Sequence, residues 1–297
     1  AIDILAGYNP RPPMEFWHNR LCLGENQNMD SYERLIAVKF GYDIDAAIGQ
    51  VSSSRLRTLP DKPPPIWQAN YKTTSFDSPF TYRRTVAFVK NPIQARDYIV
   101  LKDQHWGEEP VLSTWIGTFE QETNQYTKKI DANTYDMGNS TLYCFPTGIT
   151  NPTWKFDRWD WKSEGNENAT RVRILGEKAS SSEWITVLYP AGSLTEGASV
   201  PKISVTNGTV HIAFEKETDY IVFNEPSDSN TPVVTLKRGK KSVDILKSGD
   251  IDLNRSQGDI GLNVMNAGYG FGEIPLWMKK QRMTEKSYNW PPNPFFS

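Results

Sequence analysis

The chain has 297 residues, 33 basic and 35 acidic side chains, a formal charge of -2 and only two cysteines. That length can bury a large core as one or two domains, the near-neutral charge supplies no global field for nucleic acid or an anionic membrane, and two cysteines exclude a disulfide-built framework. No apolar run approaches the roughly 18 residues of a membrane span.

In chain order, Ala1-Ile2-Asp3-Ile4-Leu5 reads as an apolar strand carrying an acid, and Trp17-His18-Asn19 follows after a turn at Gly7-Tyr8-Asn9-Pro10. A strand opening a domain would leave its edge unpaired, so a partner segment upstream is expected. Brought together across neighbouring strands, Asp3 and His18 offer two ligands of a zinc site, which normally takes three or four. The alternatives are an acid hydrogen-bonded at a strand end and a core or capping imidazole. Pro10 to Pro13 and Pro60 to Pro65 are stiff connectors in which helix is disfavoured. Between them, Met29 to Ile48 fits a short helix by the spacing of Leu35, Ile36 and Phe40, and fits a strand equally well by Ile36-Ala37-Val38.

Strand signals then dominate. Runs rich in β-branched and aromatic residues recur at Arg84–Lys90, Tyr98–Lys102, Ser113–Phe119, Arg171–Leu175, Trp184–Tyr189, Val210–Phe214, Tyr220–Phe223 and Val233–Lys237, bounded by Gly, Pro, Asn and Asp. They predict an all-β, two-layer antiparallel β-sandwich with Trp and Phe filling the space between the sheets. A soft boundary at Ala191 to Pro201 divides a β-sandwich core, 1–190, from continuing strands and a C-terminal extension, 191–297, and the two also read as one domain. His105, in Asp103-Gln104-His105-Trp106-Gly107, is expected on a loop, facing solvent and within reach of a substrate. In an extended strand Trp159 and Trp161 share one face. They form a candidate sugar-stacking platform, the alternative being aromatics that complete a core. Lys237-Arg238-Gly239-Lys240-Lys241 reads as a hairpin tip, and the neighbouring Glu108 and Glu109 point to opposite faces of a strand and cannot flank one glycosidic bond. Serine-nucleophile, phosphate-loop and dinucleotide signatures are absent.

Ile2-Asp3 through Gly7-Tyr8, followed by His18-Asn19-Arg20-Leu21 and Gly24-Glu25-Asn26-Gln27, resembles the acid-Gly-Tyr and His-Asn-x-Leu elements of the heparinase II/III-like polysaccharide lyases. Tyr82-Arg83-Arg84-Thr85-Val86-Ala87-Phe88-Val89-Lys90, with Asp97-Tyr98-Ile99-Val100-Leu101-Lys102-Asp103 after it, is similar to that family's Arg-rich strand and the Tyr-hydrophobic-Asp strand paired with it. Trp184 to Pro190 is similar to a later core strand.

The resemblance implies the C-terminal β-sandwich of such a lyase, lacking the upstream α/α-toroid with which it forms the cleft. Asp3 and His18 match two ligands of the structural zinc found in some members, the third being a His from an upstream strand, and Tyr8 is the matching phenol nearest to a catalytic role. The implied partners are the toroid and an acidic polysaccharide, glycosaminoglycan or alginate, with no nucleic acid and no membrane, in a periplasmic or secreted setting. β-Elimination needs a neutraliser for the uronate carboxylate, a base for the C5 proton and a donor for the leaving oxygen. Most of these groups sit on the toroid in the family, so the chain alone is expected to be inactive. The alternative is a non-catalytic carbohydrate-binding or scaffold β-sandwich.

Overall fold

The computed structural model describes residues 20–24, 27–29, 34–58, 72–91, 97–120, 127–129, 134–137, 141–147, 152–159, 169–189, 201–225 and 231–247, and among these every regular element is a β-strand. Eleven strands form the first sheet: β1 (Arg20–Leu23), β2 (Gln27–Met29), β3 (Arg34–Phe40), β4 (Ile44–Thr58), β5 (Lys72–Val89), β6 (Tyr98–Glu120), β7 (Thr127–Lys129), β8 (Thr134–Met137), β9 (Thr141–Thr147), β10 (Thr153–Trp159) and β11 (Ala169–Tyr189). Its centre runs β4-β5-β6-β11-β9, with β3 on β4, β10 on β11 and β1 on the far half of β6. The second sheet is a five-stranded meander of β12 (Lys202–Thr206), β13 (Thr209–Ala213), β14 (Thr218–Phe223), β15 (Pro232–Arg238) and β16 (Lys241–Lys247). All pairings are antiparallel, as an all-β sandwich predicts. Within Met29 to Ile48 the described residues hold no helix: Met29 ends β2, and β3 and the start of β4 follow. Asn207 and Gly208, at φ 49° and 72°, make the two-residue loop between β12 and β13. Both dihedrals lie in the left-handed region, which Asn-Gly adopts at low cost and which matches the twist of a hairpin.

Alternation of side chains builds the core between the sheets. Ile44, Ala46 and Ile48 of β4, Ala87 and Val89 of β5, Tyr98 and Val100 of β6, and Ile185, Val187 and Tyr189 of β11 meet Val210, Ile212, Ile221, Phe223, Val234, Leu236 and Leu246 of the second sheet. This layer is mainly aliphatic with tyrosines. Trp115 and Trp184, expected between the sheets, lie instead in a second core with Leu101, Cys144, Ile174 and Leu188, on the other face of the first sheet.

That second core exists because β6 and β11 double back. Trp184 pairs with Asp103 in register, yet its Nε1 donates to Ser113 Oγ at 3.1 Å. Ten residues of straight strand would carry Ser113 roughly 33 Å from Asp103. The fold-over coincides with register shifts between Leu175 and Lys178 and between Ala179 and Ser181, opposite Trp106 to Thr114. Bulges of this kind bend and twist a strand. The free thiol of Cys144 is buried in this core beside Thr186 Oγ1, and burial pushes its pKa up.

At one end of the sandwich the layers are tied by a buried ion pair. Arg238 Nε and Nη2 donate to the two Asp219 oxygens at 2.7 Å each, Tyr98 Oη donates to Oδ2 at 2.7 Å, and Arg238 Nη1 reaches the Lys90 carbonyl at 3.1 Å. Asp219 is wholly buried and Tyr98 almost so. Burial, and then the Asp219 carboxylate, push the tyrosine hydroxyl well above its ordinary value, so it stays a donor.

Candidate functional site

The opposite end of the sandwich is open. The face of β6 that carries Tyr98 and Val100 into the core continues two residues at a time through Lys102, Gln104 and Trp106, beyond the apolar cover of the second sheet. Register places Gln104 beside Arg83 of β5 and Glu183 of β11, and Arg83 beside Gln50 of β4. One cross-strand row of the first sheet is therefore Gln50, Arg83, Gln104 and Glu183. Glu225, two residues past the end of β14, reaches across to it from the second sheet.

The carboxylate of Glu225 is held on both oxygens. Oε1 accepts from Gln104 Nε2 at 2.7 Å and from Lys102 Nζ at 3.1 Å, and Oε2 accepts from Arg83 Nη1 at 3.3 Å. Lys102 also pairs with Glu183 Oε2 at 3.1 Å, which Gln104 Nε2 reaches at 3.2 Å. Arg83 Nε donates to Gln50 Oε1 at 3.0 Å, and its guanidinium carbon lies 4.8 Å from the centroid of a Trp106 ring. Lys102 is 7% exposed and Arg83 18%, whereas Glu225 is 58% exposed. The donors are thus set into the sheet and the acid lies on top of them.

Electrostatics follow that arrangement. Burial alone would raise the Glu225 carboxyl, but the hydrogen bond from Gln104 and the charges of Lys102 and Arg83 outweigh it and hold the pKa below the ordinary value. Burial lowers the Arg83 pKa, opposed by Glu225, and a guanidinium stays charged regardless. The result is an open polar surface of amide, guanidinium, ammonium and carboxylate groups around one partly exposed indole. Such a mixture suits a polyhydroxylated ligand, whose hydroxyls need donors and acceptors and whose C–H faces need an aromatic ring.

The residues singled out from sequence fall elsewhere. Asp3, Tyr8, His18 and Trp161 lie outside the described residues. Trp159 ends β10, paired with Ala169 of β11. His105 is not on a loop: it sits within β6, 1% exposed, with Nδ1 2.5 Å from Ser182 Oγ and Nε2 3.3 Å from the Ala179 carbonyl. Its neighbours Gln104 and Trp106, on the other face of the strand, are the ones that join the surface. Among the described residues no group of three or more His, Cys, Asp or Glu side chains could hold a metal ion, and no helix is long and apolar enough to cross a membrane.

The Arg-rich run of β5 and the Tyr-hydrophobic-Asp run of β6 are adjacent antiparallel strands, Val89 opposite Tyr98 and Arg84 opposite Asp103. Arg84 Nε and Nη2 donate to the two Asp103 oxygens at 2.6 and 2.8 Å, and Tyr82 Oη donates to the first at 2.8 Å. No family model matches the chain, and no curated protein matches it. Among solved structures it is similar to a heparinase III, at 14% identity and a TM-score of 0.44 over 78% of this chain and 29% of that one. It is also similar to the heparan sulfate lyase HepC from Pedobacter heparinus, at 15% identity and a TM-score of 0.43 over 83% of this chain and 34% of that one. The chain thus spans about a third of the length of these proteins.

Proposed function

We propose that this chain is the β-sandwich part of a polysaccharide lyase that cleaves a uronate-containing polysaccharide by β-elimination, acting with a helical toroid. The observation that carries the reading is the pairing of β5 with β6. Two of the segments on which the sequence resemblance rests, separated by the six residues 91–96, are neighbours in register and share the Arg84–Asp103 pair. The sandwich contributes a cleft wall, and the base and the neutraliser of the uronate carboxylate come from the toroid. Neutralisation is the demanding part, because removing the C5 proton puts the developing charge onto the carboxylate. A periplasmic or secreted setting, where such polysaccharides are met, belongs to the same proposal. Expression beside its genomic neighbours, followed by affinity purification, tests it. A helical protein or domain co-purifying in stoichiometric amount is the expected outcome, and recovery of the chain alone from every neighbour would count against it.

Asp3 and His18 belong to this proposal as two ligands of a structural zinc, on the strength of their acid-Gly-Tyr and His-Asn settings. Metal content after purification is the measure. The chain purified together with its toroid partner is expected to carry zinc that Asp3→Ala and His18→Ala each lose, and unchanged stoichiometry in either variant would rule out the metal.

A further inference from the structure

We infer that Arg83, Lys102 and Gln104 form a binding cradle for one carboxylate of an acidic saccharide, and that Glu225 occupies this cradle as an intramolecular stand-in until the ligand displaces it. The cradle itself is read from the geometry; that its natural occupant is a uronate rests on the proposed function.

Three features point to a ligand site rather than a structural tie. First, the donors are built to receive a planar carboxylate: one oxygen is held by Gln104 and Lys102, the other by Arg83. Second, the acid is the accessible partner, 58% exposed against 7% for Lys102 and 18% for Arg83. Displacing it moves one side chain at the rim and leaves the sheet intact. The contrast with the other end of the sandwich is direct, since Asp219 is wholly buried under Arg238, Tyr98 and Asn91 and no ligand could replace it. Third, the charge count changes in the right sense. With Glu225 in place, Arg83 and Lys102 are balanced by Glu183 and Glu225. With Glu225 withdrawn, two cations face Glu183 alone, and the cradle carries one net positive charge for one monoanion. Trp106, whose ring the Arg83 guanidinium covers, and Gln50, which accepts from Arg83 Nε, hold that donor in place.

An internal competitor lowers apparent affinity by the fraction of time it leaves the site free. If Glu225 is in place about nine-tenths of the time, its removal tightens binding about tenfold. The test is a titration followed by NMR chemical shifts, using Glu225→Ala and the unaltered protein. The probes are a glucuronate-containing tetrasaccharide, the same tetrasaccharide with its carboxylates reduced to alcohols, and glutarate as a simple carboxylate. We expect Glu225→Ala to bind the tetrasaccharide and glutarate several-fold more tightly than the parent, with no gain on the carboxyl-reduced sugar. Adding Arg83→Gln or Lys102→Met to Glu225→Ala should abolish the gain, and thermal melts of each variant show whether the fold survives. No gain on either carboxylate, in a folded Glu225→Ala protein, overturns the cradle and leaves the lyase proposal standing. A gain on glutarate without one on the tetrasaccharide upholds the cradle and counts against a uronate as its occupant. A gain that survives in a folded Lys102→Met double variant overturns the assignment of donors.

Discussion

At the scale of single residues, His105 shows how a strand environment sets charge. Burial lowers its pKa, with the Ala179 carbonyl pulling the other way, and the imidazole is stored neutral between Ser182 and Ala179. Between its lowered value and the ordinary one of about 6.5, the unfolded chain binds more protons than the folded one, so stability rises with pH there. The contribution is complete above about pH 6.5 and is lost as pH falls toward the folded value. Melting temperatures of His105→Gln should therefore decline less steeply than those of the parent from about pH 7 to about pH 5. Equal slopes would mean that His105 does not titrate on folding. The site residues at this scale were hard to see in the sequence. Asp103 to Gly107 carries Asp and Gly, which punctuate loops, and the reason it is a strand lies in Tyr82 and Ser182, which pair with His105 from strands 23 and 77 positions away. Likewise Glu225 falls in a segment, Asn224 to Pro232, whose composition says only that it is polar. Its function as a cap on three donors depends on where the second sheet ends.

At the scale of elements, most strands were legible because β-branched and aromatic runs mark them, and the hairpin tip at Gly239 and Lys240 was marked by its own turn residues. What the pattern could not tell was that Tyr98–Lys102 and Ser113–Phe119 belong to one strand of 23 residues, and Arg171–Leu175 and Trp184–Tyr189 to one of 21. Gly107-Glu108-Glu109-Pro110 and Gly176-Glu177-Lys178 look like turns, and physically they nearly are: the ladder persists while the strands bend through register shifts. Gly107 has a steric part in this bend. A Cβ there would overlap the ring of Phe80, passing 2.9 Å from Cε1 as well as meeting Cδ1, and Phe80 is 1% exposed and stacked edge-on with Phe76 at 4.9 Å. Gly107→Ala should cost about 1–3 kcal/mol in urea denaturation. In a Phe80→Leu background, where the ring is gone, the same change should cost less, since contacting residues couple. An equal cost in both backgrounds would place the strain elsewhere.

At the scale of the whole molecule, the two sheets are bracketed by two carboxylate contacts of opposite character. Six residues separate Asp219 from Glu225 along and just past β14, and six separate their partners Tyr98 and Gln104 along β6. The two strands therefore run alongside each other, as in aligned sandwich packing. One end is sealed by a buried ion pair whose disruption would strand a charge, and the other is a rim where the exposed carboxylate of Glu225 lies over Lys102 and Arg83. That asymmetry was invisible in composition, because both ends are built of charged and polar side chains. The proposed role, a sandwich that serves β-elimination together with a helical toroid, has a direct assay. It follows the ultraviolet absorbance of unsaturated uronate released from alginate, heparan sulfate, hyaluronan and chondroitin, first with these 297 residues alone and then with a helical toroid partner added. No product in the first case and product from one of these polymers in the second is the expected outcome. Robust turnover by the 297 residues alone, or none from any polymer once the toroid is present, would contradict it.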